Sequence, residues 1–264
     1  MMITLQSERP GANKRKAVGL VGATVLGVTL PCVVLALVLG AITGTVTITL
    51  LVGVIIGLLG AGGLVLTAWR GAEERVLGLV DARPAEPIAE ARLFNLVDGL
   101  CSAAGLPRPR LFVVAQDAPN AVALGRDSRH GCVVVTRGLL TKLNRIELEG
   151  VLAHELTHLR DVGTLPPTLA LSLCGRRASG SLAGLATRVV AATCDPQREP
   201  LADLASVSLT RYPPGLISAL ERVRDDDERV GGVPTAMGPL WFGPLDPEAG
   251  HEAVDKRIWA LREL

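Results

Sequence analysis

The run Val151–Asp161, VLAHELTHLRD, holds the residues best suited to chemistry in this chain. His154 and His158 stand one helical turn apart, so on a helix both imidazoles share a face and can bind a single Zn²⁺. Coordination positions remain open beside them. Glu155 points off the axis joining the two histidines, where it can take a proton from water instead of binding the ion. The chain has four histidines, and this pentapeptide uses two of them. Zinc that activates water usually has three protein ligands, so a third is sought at a distance. DPQREPLADLASVSL offers Glu199, and Asp203, one turn on, can accept the free N–H of a zinc-binding histidine. Standing alone, such an acidic pair reads as a solvated face. Beside HExxH, ligation is the better reading, with one Zn²⁺ per chain.

Local signals define the elements that must hold these groups. Asn144 and Glu147 form a capping box that starts a helix near Arg145 and runs it to Asp161. Ile146, Leu148, Val151, Leu152, Leu156 and Leu159 give that helix an apolar face. Asp195 can cap the Glu199 helix, with Pro196 at its first position. Ile88–Ala104 reads as an amphipathic helix ended by Gly105 and Pro107. Leu111–Ala115, Ala121–Leu124 and Cys132–Thr136 read as strands. Gly138–Leu143, Leu201–Thr210, Pro214–Arg224 and His251–Leu264 read as helices, and Asp225–Gly232 as a charged loop. The fold class is α+β, mainly helical, with a small antiparallel sheet.

No charged residue occurs from Ala17 to Trp69, a stretch long enough for two membrane spans. They are placed near Val18–Gly40 and Val46–Ala68, turning at Thr43–Gly44–Thr45. A cleaved signal peptide has a shorter apolar core and no second span. Gly19, Ala23 and Gly27 in the first span, and Gly53 and Gly57 in the second, suit close helix packing. Arg9, Lys14, Arg15 and Lys16 precede the spans and Arg70 and Arg75 follow them, while the turn has no charge. Both ends are therefore expected in the cytoplasm, with the chain multi-pass in the cell membrane. The domain plan is a basic tail at 1–16, a transmembrane hairpin at 17–69, and a catalytic domain at 70–264 with a short apolar helical hairpin at 163–194. A net charge of +1 excludes nucleic-acid binding driven by bulk basicity. The five cysteines show no metal-type spacing and read as buried thiols in a reducing compartment.

The stretches AAGLPRPRLFVV, PNAVALG, VVVTRGLL, LNRIELEGVLAHELTHLRD, REPLAD, PPGLISALERV and HEAVDKRI occur in the order seen in HtpX-type membrane-bound zinc metallopeptidases, relatives of the CAAX prenyl proteases. The chain resembles that family over most of Leu93–Leu264. The resemblance implies a gluzincin-like fold and an endopeptidase acting on membrane or misfolded proteins, in stress response and protein quality control. It implies zinc binding by Glu199, and a strand at Asn120 and Ala121 lying beside the substrate backbone.

Three features depart from the family pattern. Family members usually have two further membrane segments between HExxH and the distant Glu. Here Leu165–Cys174 and Leu182–Cys194, with Arg176, Arg177 and Arg188 nearby, reach only ~15–20 Å as helices, against a hydrocarbon core of about 30 Å. They are expected to pack on the domain or to lie at the membrane surface. Pro200 stands where an aromatic is common, and Glu252 follows His251 where a proline is common.

The expected chemistry is peptide hydrolysis. Zinc held by His154, His158 and Glu199 would bring the pKa of its water to about 7. Glu155 would serve as general base and then pass the proton to the leaving amine. The tetrahedral oxyanion needs a second donor, worth ~3 kcal/mol. His251 is the candidate, with Arg257 as helper. Their structural alternatives are a capping or surface histidine and an ion-paired arginine. His130 receives no role. Two other functions are compatible with the sequence: a sensor protease cleaving one regulatory partner, and a non-catalytic membrane scaffold that retains the zinc site.

Overall fold

A computed structural model describes residues 10–175, 181–245 and 247–264. Arg9, Arg176 and Arg177, which entered the reading of charge, lie outside that set. The uncharged stretch forms α1 (Pro10–Thr43) and α2 (Val46–Arg70). Gly44 makes the turn between them with φ +69°, a conformation costly for any residue with a Cβ. From Ala17 to Trp69 both helices are uncharged on every side and expose Leu26, Leu30, Ile42, Leu51 and Leu59, a surface suited to lipid. Their contact uses Gly53 and Gly57 as expected. A Cβ at Gly53 would lie 2.9 Å from the Cys32 carbonyl oxygen, and one at Gly57 2.8 Å from the Thr29 Cα. On α1, however, the contacting residues are Thr29, Cys32 and Ala36, whereas Gly19 and Gly27 face open space. Gly19 and Gly27 therefore do not mark the packing face of the first span, which instead includes Ala36 and Gly40.

α1 has 34 residues, ~51 Å at 1.5 Å per residue, so it outruns a bilayer core of about 30 Å. Its first turns enter the domain, where Asn13 Nδ2 donates to the Asp161 carbonyl at 3.3 Å. Ala17 and Ala68 pack there against Leu165 and Leu169.

The domain continues through α3 (Ala72–Leu77), β1 (Arg83–Pro84), α4 (Ala91–Ala104), β2 (Arg110–Val114), β3 (Ala121–Gly125) and β4 (Gly131–Thr136). Then come α5 (Arg137–Lys142), α6 (Arg145–Arg160), α7 (Leu165–Cys174), α8 (Ala183–Thr193), α9 (Arg198–Thr210) and α10 (Pro213–Asp225). A 3-10 turn at Thr235–Leu240 leads to α11 (Pro247–Arg262). α4 begins three residues after the expected Ile88, which is exposed. Glu90 ends the preceding turn, its carboxylate held by Arg83 and by the Glu86 N–H.

The sheet order is β1-β2-β4-β3. β1/β2 and β3/β4 are antiparallel, but β2/β4 is parallel, so the sheet is mixed and not wholly antiparallel. The reason lies in residues 115–120. This connection crosses the end of β4 instead of turning β3 back against β2. The Gln116 carbonyl there accepts from Gly138 N–H at 2.8 Å, and Gly138 has no room for a Cβ against the Asp117 carbonyl.

Strands β3 and β4 are buried on both faces. Ala121, Ala123, Val133 and Val135 face α4, α6 and α10. Val122, Leu124, Cys132 and Val134 face α3, α7 and α8. α7 is buried along most of its length between α1, α2 and the sheet. That half of the apolar hairpin therefore packs on the domain.

Candidate metal centre

α6 starts as the capping box requires. Asn144 Oδ1 accepts from the Ile146 and Glu147 N–H groups at 2.9 and 3.0 Å, and Glu147 Oε2 accepts from Asn144 N–H at 2.8 Å. Glu147 also ties α6 to α10, accepting from Ser218 at 2.6 Å and Arg222 at 2.7 Å. Burial opposes its charge, yet these bonds hold its carboxyl below the ordinary value. Gly150 allows α10 to approach, since a Cβ there would lie 3.0 Å from Leu216 N and Cα. Pressed between the sheet and α10, α6 buries His154, Glu155 and His158 completely.

α9 begins at Arg198, not at Pro196. Asp195 instead closes a turn, its carboxylate accepting from Gln197 N–H at 3.0 Å. A start at Pro196 would put Pro200 beyond the first turn, where its missing N–H and its ring would break the helix. The observed start places Pro200 in the first turn, where no intrahelical donor is required. Glu199 and Asp203 then face α6 together.

His154 Nε2 lies 3.1 Å from His158 Nε2 and 3.2 Å from Glu199 Oε2, and His158 Nε2 lies 3.5 Å from Glu199 Oε1. Donors in tetrahedral zinc sites, with bonds of about 2.0–2.1 Å, stand ~3.3 Å apart. The triangle therefore fits zinc in both donor type and spacing. Among the described residues this is the one group that could hold a metal. Burial pushes the Glu155 carboxyl up while the two histidines pull it down. Neither of its oxygens has a hydrogen-bond partner among the described residues. A buried carboxylate so placed is costly unless it serves a reacting group.

Asp203 stands behind the triangle. Its Oδ1 takes His154 Nδ1 at 2.8 Å and Arg257 Nη2 at 2.8 Å, and its Oδ2 takes Arg257 Nε at 2.7 Å. Arg257 also donates to the Phe242 carbonyl at 2.8 Å and lies 3.2 Å from Glu199 Oε2. Burial works against the Glu199 charge, but Arg257 and the histidines hold its carboxyl well below the ordinary range. Glu199 is thus an anion facing the imidazoles.

The remaining sequence candidates divide. Arg257 joins the cluster. His251 is exposed on α11. His130 is exposed and bonded to Asp127. The Asn120 side chain grips a backbone segment, donating to the Gly243 carbonyl at 3.0 Å and accepting from Gly243 N–H at 2.9 Å. The Ala121 carbonyl accepts from Phe242 N–H at 2.9 Å. This end of the β3 edge is therefore covered by Phe242–Gly243, whose aromatic ring meets His154 edge-on at 5.1 Å. Sequence reasoning missed that segment. Its one signal was an adjacent Trp–Phe pair between Gly-Pro steps in a chain with only 3% aromatic residues. Arg198, buried with Nε 3.3 Å from Glu199 Oε1, was missed as well.

The profile of Peptidase family M48 matches residues 87–173. A protease HtpX homolog from Dictyoglomus thermophilum is 32% identical over 75% of this chain and 77% of its own length. One from Acidiphilium cryptum is 35% identical over 78% and 88%, and one from Lactobacillus helveticus is 32% identical over 96% and 97%. No solved structure gives a significant match.

Proposed function

The chain belongs to peptidase family M48 as a membrane metallopeptidase of the HtpX group, and on that footing we propose a zinc-dependent endopeptidase of gluzincin type acting on membrane or misfolded proteins. The observation that carries this reading is the triangle of His154, His158 and Glu199 with the unpaired Glu155 carboxylate beside it. His154, His158 and Glu199 would hold the ion. Zinc, when bound, supplies a Lewis acid that acidifies water and polarises the scissile carbonyl.

The protein's own groups do the rest. Glu155 takes the proton of the attacking water and returns it to the leaving amine. Asp203 fixes the His154 ring through Nδ1, which leaves Nε2 free as a ligand. Arg257 holds Glu199 and Asp203 in place. Of the two sequence candidates for the oxyanion donor, its buried guanidinium is better supported than the exposed His251. Substrate backbone would run along β3 beyond the part covered by Phe242–Gly243. The scaffold reading would keep the same triangle, whereas the unpartnered Glu155 carboxylate beside it favours catalysis.

The topology proposed is a hairpin at 17–69 in the cell membrane with the domain at 70–264 on the cytoplasmic side, since Lys14, Arg15, Lys16, Arg70 and Arg75 all lie at the domain end of the hairpin. The test of function is Glu155→Gln. The variant should retain about one zinc per chain and lose cleavage of an unfolded protein while still trapping it. Proteolysis surviving in this variant would falsify the general-base assignment.

A further inference from the structure

His158 lies in the last turn of α6, where backbone carbonyls lack donors from within the helix. A closing turn supplies them. Gly163 N–H donates to the His158 carbonyl at 3.0 Å, and Val162 N–H to the Leu159 carbonyl at 3.4 Å. This pair of bonds needs a left-handed residue after the helix, and glycine is its usual occupant. Here the glycine comes one residue late. Val162 fills the position with φ +58°, a conformation that a β-branched residue rarely adopts. Local preference therefore opposes the turn, and surrounding contacts must hold it.

Those contacts come from the other end of the chain. The Asp161 carbonyl accepts from Asn13 Nδ2 at 3.3 Å, and both residues are buried. The Val162 side chain packs on the cluster of Ala17, Ala68, Leu165 and Leu169, which Leu20 and Val21 of α1 also join. Asp203 fixes the His154 ring from α9, whereas the first turns of α1 brace the turn that follows His158.

We propose that Asn13 is a positioning residue for the metal centre: docked on Asp161–Gly163, it holds the closing end of α6 and keeps His158 in the ligand triangle. The inference rests on the metallopeptidase reading and links the hairpin of α1 and α2 to the triangle. Without the Asn13 donor, Val162 loses a restraint and relaxes from the left-handed region. Gly163 N–H then leaves the His158 carbonyl, and the last turn of α6 frays. His154, one turn further inside the helix and held by Asp203, stays in place. Zinc affinity falls while the domain remains folded.

The test uses the full-length protein in detergent. Asn13→Ala should weaken zinc binding by about 10-fold in chelator competition. In the metal-free protein, hydrogen exchange at Gly163 should rise by about 10-fold or more. Gly19→Ala lies on the same helix with open space around its Cβ and should change neither. Asn13→Leu, close in volume but without the donor, should give the same readings if the alanine variant does not fold. The deciding arm is Val162→Gly, because glycine adopts the left-handed turn without restraint. In that background Asn13→Ala should cost less than about twofold in zinc affinity. A contact that only stabilises the fold would cost the same in both backgrounds, and an equal loss overturns the proposal. So does a zinc affinity within about twofold of the parent in both Asn13 variants. A parent protein that binds no zinc defeats the metallopeptidase reading and this proposal with it.

Discussion

Asp203→Asn is the substitution that best separates orientation of the metal site from ligation. The carboxylate is 2% exposed and accepts three bonds of 2.7–2.8 Å, one from His154 and two from Arg257. Asparagine matches its shape, but one oxygen becomes an NH₂ group facing donors. At least one charge-assisted bond is lost, worth about 1.5–3 kcal/mol. Arg257 then leans on Glu199 for neutralisation, which pulls that carboxylate away from the imidazoles. Zinc affinity should fall by about 10- to 100-fold, or ~1.4–2.7 kcal/mol. A stability loss of ~2 kcal/mol should lower the midpoint of thermal unfolding by about 4–8 °C in a domain of this size. Chelator competition measures the first quantity and calorimetry on metal-free protein the second. The reasoning is refuted if zinc affinity stays within about twofold of the parent, because a tenfold loss is the smallest effect of removing such a partner.

Three further outcomes follow from the geometry. The folded Glu147 carboxyl has a lowered pKa, so its stabilisation is complete above the unfolded value of 4.5 and is lost as pH falls through the lower folded value. Glu147→Ala should cost ~2–3 kcal/mol at pH 7 through loss of the capping box and the Arg222 pair. It should also flatten the acid limb of the stability profile, and a limb as steep as the parent's would contradict this. Gly57→Leu should loosen the membrane hairpin, because the new side chain meets Thr29. Gly62→Leu faces open space and should be tolerated, so equal yields and equal resistance to denaturation for the two would be inconsistent with the packing described. Asn120→Ala removes both side-chain bonds to Gly243. Hydrogen exchange at Phe242 and Gly243 should then rise by about 10-fold or more, and unchanged protection would mean that the segment is held by other contacts.

Much of the site was legible because its signals are local. Helical spacing put His154 and His158 on one face, and the Asn144–Glu147 box marked where α6 begins. The charge-free stretch predicted two long helices and their turn, and α7 lies where its apolar run indicated. Each of these follows from helix periodicity, capping or length, interactions that span a few residues at most. Other features depend on contacts between distant parts of the chain. The start of α9 is not among them, since it was set locally by where Pro200 could be accommodated. The parallel β2/β4 pairing depended on the path of 115–120 over the end of β4. The different placement of His251 and Arg257 rested on how α11 docks: they are six residues apart on the helix, but only Arg257 meets Asp203, more than fifty residues earlier in the chain. Sequence spacing specifies which residues share a helix face, whereas the direction of that face is decided by burial against elements brought together only in the folded chain.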